Sequence, residues 1–304
     1  MIEKYYSGVI EQIYNRIGKE TRNIVMANYS NDFSIENLEV IRRYQSNEDN
    51  VFFAYSEFSY NTLVGAYEPF LDIICNMHRR FIGGSFDDFQ KECGVYYLHR
   101  QVLNSYYETG ECFREETVLL NEVAYEQRRM TMAIADMLKK LSEVKPLMIV
   151  INRFQMASKS SIETIKYLID NPCTNIGIVL GVNALVRGTD STVEVWDRIV
   201  ESLEDRSAIY YIGSAGQLKN NIRDTSDDEL YITTNFEQSI QEASNIMEFL
   251  DYEQARRGCR IIEHKIKFEN AWIDEKSLRR FYLVYARTSV LLGEMSKAIE
   301  LMNE

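Results

Sequence analysis

Apolar positions in the first 214 residues switch between short continuous runs and helical spacing. The runs at 22–30 (RNIVMANYS), 50–58 (NVFFAYSEF), 147–151 (LMIVI), 175–183 (NIGIVLGVN) and 207–214 (SAIYYIGS) are short, rich in β-branched and aromatic residues and bounded by turn-forming residues, the pattern of buried strands. Helical spacing fills the intervals. Ile10, Ile13, Tyr14 and Ile17 recur on one face before Gly18 stops the first helix. Further helices are expected at 34–45, 66–82, 160–171 and 192–205, with two Tyr-rich helical stretches, FDDFQKECGVYYLHRQVL and SYYETGECF, after the Gly83-Gly84 turn. From about 115 to 141 a long stripe runs through Leu119, Val123, Met130, Ile134, Met137, Leu138 and Leu141. Strands alternating with helices predict a doubly wound α/β domain with a parallel sheet over residues 1–214.

Beyond 235 the spacing is helical throughout. Residues 215–234, around the polar KNNIRDTSDDEL at 219–230, read as a linker. In 235–304, FLDYEQARRGCRIIE and LLGEMSKAIELMNE superpose when Ala255 is set on Ala298, an offset of 43 residues. Each segment places a small residue where two helices would cross closely. This resembles tetratricopeptide-like helical hairpins, with a longer period than their usual ~34 residues. Repeats of that kind bury their faces by stacking, so the resemblance implies a longer array of which two units are present, and a protein partner engaged through it.

Composition narrows the classes. Forty-five per cent of the 304 residues are hydrophobic and 26% charged, as in an ordinary folded protein. The 46 acidic against 34 basic residues give a formal charge of −12, which argues against nucleic acid or anionic membranes as partners. The short basic clusters RRF (79–81) and RRGCR (256–260) read as solvated helix faces. No run approaches the ~18 apolar residues of a membrane span, and the charged N-terminal stretch lacks the apolar run of a signal peptide. Five scattered cysteines without a CxxC pair imply reduced thiols and a cytoplasmic location. His78, His99 and His264 are far apart and no metal-ligand spacing occurs, so no metal is expected. Paired tyrosines are read as core and half-buried contacts. The cluster DTSDDE (224–229) lacks the alternation and glycine of an EF-hand loop.

One stretch carries a family resemblance. In LMIVINRFQMASKSSIETIKYL, an apolar strand is followed by Gln155, Ala157, Ser160 and Ser161 before a helix. This resembles the Walker B region of the STAND-type signal-transduction ATPases, a branch of the AAA+-related P-loop NTPases. In that family two acids follow the strand; here Asn152 and Arg153 stand in their place, Met156 replaces a Trp and Ser158 an Asp. Upstream, Tyr67-Glu68-Pro69-Phe70 is similar to the family's Tyr-x-Pro-Phe helix start. The order of elements agrees over roughly residues 22–214, and the helical repeats follow as in many members.

The resemblance implies a Walker A loop after the first strand. The corresponding segment holds Asn28, Tyr29, Ser30, Asn31, Asp32, Phe33 and Ser34, with neither the glycines nor the lysine that cradle phosphates. The Gly18-Lys19 pair precedes the strand instead of following it. Asn152 offers an amide where a carboxylate would support Mg²⁺, and Arg153 cannot accept a proton. A pseudo-ATPase is therefore expected, with no catalytic residue and no cofactor, acting as a regulatory or scaffolding module in signalling or transcriptional control. The family's lid and winged-helix segment has no room in the ~20 residues after the fifth strand. Three alternatives stay open: a nucleotide-binding switch with atypical phosphate contacts at Arg153, a small-molecule sensor in the crevice at the strand ends, and an unrelated α/β domain whose Asn152 and Arg153 simply end a strand and meet solvent.

Overall fold

The computed structural model describes residues 2–29, 38–46, 50–58, 63–115, 118, 121–183, 199–201, 209–212, 236–268 and 273–303. The segments 30–37 and 213–235 lie outside these, and with them the loop after the first strand and the expected linker. The chain divides into two compact units. Unit 1 comprises 1–59, 67–85 and 131–226; unit 2 comprises 60–66, 86–130 and 227–304. The helical unit is thus assembled from three stretches, two of them drawn from within the α/β sequence.

Unit 1 is built on a five-stranded sheet in the order β2-β3-β4-β1-β5, formed by β1 (Ile24–Tyr29), β2 (Phe52–Glu57), β3 (Leu147–Asn152), β4 (Ile176–Asn183) and β5 (Ile209–Ile212). Every pairing is parallel. The apolar runs read from the sequence are these strands. Leu147 to Ile151 of β3 are wholly buried, as a strand covered on both faces requires. Two parallel strands need a crossover, and the sequence supplies helices for it: α2 (Glu39–Ser46) before β2, and α7 (Lys159–Asp170) before β4. Because β1 connects toward one edge and β3 toward the other, right-handed crossovers place α2 and α7 on opposite faces.

Helix α1 (Ile2–Arg16) lies on the face shared with α2, where Tyr14 stacks on Tyr44 at 4.0 Å between ring centroids. It packs on β4, β1 and β5. Two glycines of β4 make this approach possible. A Cβ on Gly177 would sit 2.8 Å from Ile17 Cδ1 and 2.9 Å from Ile13 Cγ2, and one on Gly181 would sit 2.1 Å from the Tyr6 hydroxyl. Both glycines have ordinary backbone angles, so the absence of a side chain is what β4 needs there, not the conformational freedom of glycine. Tyr6, Ile10 and Ile13 are fully buried by the contact.

The 66–82 helix of the sequence pattern forms as α3 (Phe70–Met77), continued by a π-helical turn over His78–Ile82. The first Tyr-rich stretch is two helices, α4 (Phe86–Glu92) and α5 (Tyr97–Thr109). Gly94, at φ 71°, breaks it where a continuous helix was expected, because a left-handed residue reverses the chain there. The second stretch is no separate helix: its Ser105 to Thr109 extend α5, which ends on Gly110 in the left-handed conformation. Of the long stripe, Val123 to Leu141 lie in α6 (Val123–Val144), Leu119 falls outside the described residues, and the division between the units falls inside the helix.

Unit 2 continues with α8 (Phe236–Glu248), α9 (Tyr252–Phe268), α10 (Glu275–Leu291) and α11 (Met295–Met302). They share a core of Ile240, Ala243, Cys259, Ile262, Phe281, Val284, Tyr285 and Leu301. The two hairpins match at the offset seen in the sequence. Leu250 at φ 69° precedes α9 as Gly293 at φ 78° precedes α11, and Ala255 and Ala298 are both buried. No helix among the described residues is long and apolar enough to cross a membrane.

The Gly181 contact is open to test. Gly181→Ala is expected to cost about 1–3 kcal/mol in denaturant unfolding, the usual range for overpacking. Adding Tyr6→Phe, which deletes the atom 2.1 Å away, is expected to recover part of the loss.

Candidate functional site

A parallel sheet brings the carboxyl ends of its strands to one edge, the place where open α/β sheets hold ligands. Asn28 and Tyr29 end β1 there, paired with Val182 and Asn183 of β4. Ser30, Asn31, Asp32, Phe33 and Ser34 fall outside the described residues. The edge can therefore be followed from the end of β3.

Asn152 is the last residue of β3, level with Glu57 of β2. It is fully buried rather than solvent-facing. Its carbonyl accepts a hydrogen bond from the Phe58 N–H at 3.2 Å, and its Oδ1 lies 2.8 Å from where a Gly181 Cβ would be, beside the Tyr6 hydroxyl. The polar end of β3 is thus enclosed by the chain's own α1.

Arg153 follows in the left-handed region, at φ 54° and ψ 40°, which turns the chain sharply out of the strand into a 3₁₀ turn, Phe154–Met156. That turn aims the side chain back along β2. Arg153 Nη1 lies 3.0 Å from Glu57 Oε1 and donates to the Phe58 carbonyl at 3.4 Å. The Tyr55 hydroxyl donates to the other carboxylate oxygen, Oε2 of Glu57. The pair is largely shielded, with side chains 20% and 17% exposed. A guanidinium so placed meets a carboxylate of its own chain, and its charge is balanced before any phosphate arrives. Glu57 and Tyr55 were not singled out in the sequence. Glu57 ends an apolar strand 96 residues before Arg153, and only the parallel register of β2 on β3 makes them neighbours.

The remaining motif residues hold backbone. Ser158 caps α7 by accepting from the Ser161 N–H at 3.4 Å. The Ser160 hydroxyl accepts from the Tyr67 N–H at 2.9 Å, and the Ser161 hydroxyl donates to the Glu68 carbonyl at 2.7 Å. The serine pair and the Tyr67-Glu68-Pro69-Phe70 stretch, 93 residues apart in sequence, are therefore bonded to each other. Gln155 and Ala157 are buried. Among the described residues no group of three or more His, Cys, Asp or Glu side chains could hold a metal ion.

A second polar cluster lies in unit 2. Asn245 of α8 accepts from the Cys112 N–H at 2.8 Å and donates to the Gly110 carbonyl at 3.0 Å, holding residues 110–112 much as a neighbouring strand would. The Arg114 guanidinium donates to the Glu248 carbonyl at the end of α8, where helix carbonyls lack intrahelical partners. Arg287 of α10 pairs with the buried Glu248 carboxylate at 2.6 Å. Burial pushes the Glu248 carboxyl up, while Arg287 and Arg114 oppose that rise. His99, wholly buried in α5, sits 3.0 Å from Glu126 of α6, and Glu126 in turn pairs with Arg129 at 3.2 Å. Burial, reinforced by Arg114 and Arg129, lowers the His99 imidazole to about 3. We take it as neutral at pH 7, because burial and two cations act against the single carboxylate.

The chain matches no family model and no curated protein.

The neutral His99 predicts a pH dependence. Between pH ~6.5 and ~3 the unfolded chain binds a proton at this position and the folded chain does not, so stability falls as pH drops through that window. Unfolding midpoints measured against pH are expected to decline more steeply for the native chain than for His99→Asn, which has nothing to titrate there.

Proposed function

We propose that the chain is a catalytically silent, P-loop-NTPase-like module joined to tetratricopeptide-like helical hairpins, and that it serves as a regulatory or scaffolding unit for a protein partner. The observation that carries this reading is the internal pairing of Arg153 with Glu57 at the end of β3, beside an enclosed Asn152. Hydrolysis of a nucleoside triphosphate needs a supported Mg²⁺ and a group that positions water. Here an amide and a neutralised guanidinium stand where a STAND-type ATPase carries its acids. An all-parallel sheet with β1 between β4 and β5 is in keeping with a P-loop-type core whose chemistry has been lost.

The helical part supports the scaffolding half of the proposal. The two hairpins repeat their turn geometry and their buried alanine, and helices of this kind present surface to other chains. Ion pairs join them: Arg287 to Glu248, Arg256 to Glu294, and Lys297 to Glu263. A signalling or transcriptional setting comes from the STAND resemblance alone.

Isothermal titration with ATP, ADP and GTP, each with and without Mg²⁺, tests the proposal. No saturable heat and no phosphate release are expected. Saturable binding at micromolar nucleotide would overturn the silent-module reading, and turnover lost on changing Arg153 would mark an unusual enzyme.

A further inference from the structure

Four buried polar atoms of unit 2 gather around His99 without a hydrogen-bond partner among the described residues: Arg114 Nη1, Glu126 Oε2 and both ring nitrogens of His99. His99 is wholly buried, and Arg114 and Glu126 are 5% and 7% exposed. The rest of each charged side chain is held. Nε and Nη2 of Arg114 donate to the Glu248 carbonyl at 3.4 and 3.2 Å, and Glu126 Oε1 accepts from Arg129 at 3.2 Å, which leaves one donor group and one acceptor atom unused. Glu126 Oε2 lies 3.0 Å from His99 Nε2, but the two are out of line for a hydrogen bond. Burial lowers the proton affinity of Arg114 and of His99 alike; Glu248, Tyr252 and Glu126 oppose the first shift and Arg114 adds to the second, so the three side chains lie within electrostatic reach of one another. A buried polar atom left unpaired costs more than a made hydrogen bond gains, and folded proteins meet such clusters with an enclosed guest.

We propose that this cluster binds an internal water molecule, which accepts from Arg114 Nη1 and donates to Glu126 Oε2, with His99 as its third partner. The hydrogen-bond inventory selects the guest. A guanidinium only donates, an ionised carboxylate only accepts, and a neutral imidazole donates at one nitrogen and accepts at the other. Whatever joins them must therefore accept from Arg114 and donate to Glu126 at once. An inorganic anion has no proton for Glu126 and meets a like charge there, while a cation meets the guanidiniums of Arg114 and Arg129. An apolar guest leaves all four atoms unpaired. Water does both jobs, and the three bonds asked of it are the usual number for a buried molecule. It ties together α5 through His99, α6 through Glu126 and, by way of Arg114, the carbonyl end of α8. The site is independent of whether unit 1 binds a nucleotide.

A crystal structure of the full chain, at a resolution that shows ordered water, tests this together with magnetisation transfer from water to protein in solution. A density peak of water is expected within hydrogen-bond distance, about 2.7–3.2 Å, of both Arg114 Nη1 and Glu126 Oε2. In solution the Arg114 guanidinium protons are expected to receive transfer with the sign of a long-lived, enclosed water. Glu126→Gln is expected to fold and to keep the peak, because water can accept from the amide where it had donated to the carboxylate. Glu126→Leu offers neither, so the peak and the transfer are expected to disappear and the melting temperature to fall. A direct hydrogen bond between Arg114 and Glu126 with no density between them would overturn the proposal. So would an anion or metal at the position, identified by its anomalous scattering, or a native chain whose Arg114 protons receive no transfer from water.

Discussion

The carboxylate of Glu57 holding the guanidinium of Arg153 is the interaction on which the functional account depends. It exists because β2 and β3 run parallel in register, so that Glu57 and Asn152 end their strands side by side. It is aimed by one left-handed residue, Arg153 itself, which turns the chain at the moment the strand stops. A cation at a strand end beside a ligand crevice would ordinarily be read as an anion receptor. Engaged by Glu57, and with Tyr55 bonded to the same carboxylate, it instead ties two strand ends together.

On the same face, packing closes this end of the sheet one strand further along. Gly181 lies one step beyond the Ile151–Leu180 pair, level with Asn152, and its missing side chain admits the Tyr6 ring of α1. At the other end of β4, Gly177 does the same for Ile13 and Ile17. A close helix–sheet contact of this kind tolerates little added volume. Dispersion and burial thus fix α1 where it encloses Asn152, and the electrostatics of the strand end are satisfied within the chain. In unit 2 the corresponding work is done by polar groups. Asn245, Arg114 and Gln127 bond backbone atoms at Gly110–Cys112, Glu248 and Leu250, and the buried Glu248 carboxylate has Arg287 to balance it.

How legible this was in the sequence follows from the range of each interaction. The five strands were visible because continuous apolar runs of that length occur where both faces of a sheet are covered, and the Leu147–Ile151 run is the clearest case. The repeat of the hairpins was visible because Ala255 and Ala298 sit in similar helical stretches at an offset of 43, whereas the left-handed turn at Leu250 carries no glycine to announce it. The break at Gly94 was missed because a lone glycine inside a helical pattern is no fixed stop signal, while helix-forming residues continue on both sides of it. The partner of Arg153 was missed for a different reason: strand order and register set it, and neither is a property of a local window. The roles of Ser160 and Ser161 were hidden in the same way, since their partners at Tyr67 and Glu68 lie 93 residues away in sequence.

The Arg153 guanidinium is held by the Glu57 carboxylate. A double-mutant cycle with Glu57→Gln and Arg153→Gln, read by denaturant unfolding, addresses it most directly. A coupling energy of about 1–3 kcal/mol between the two positions is expected, with either single variant less stable than the native chain. Additive effects of the two substitutions, or an Arg153 variant that keeps full stability, would contradict it.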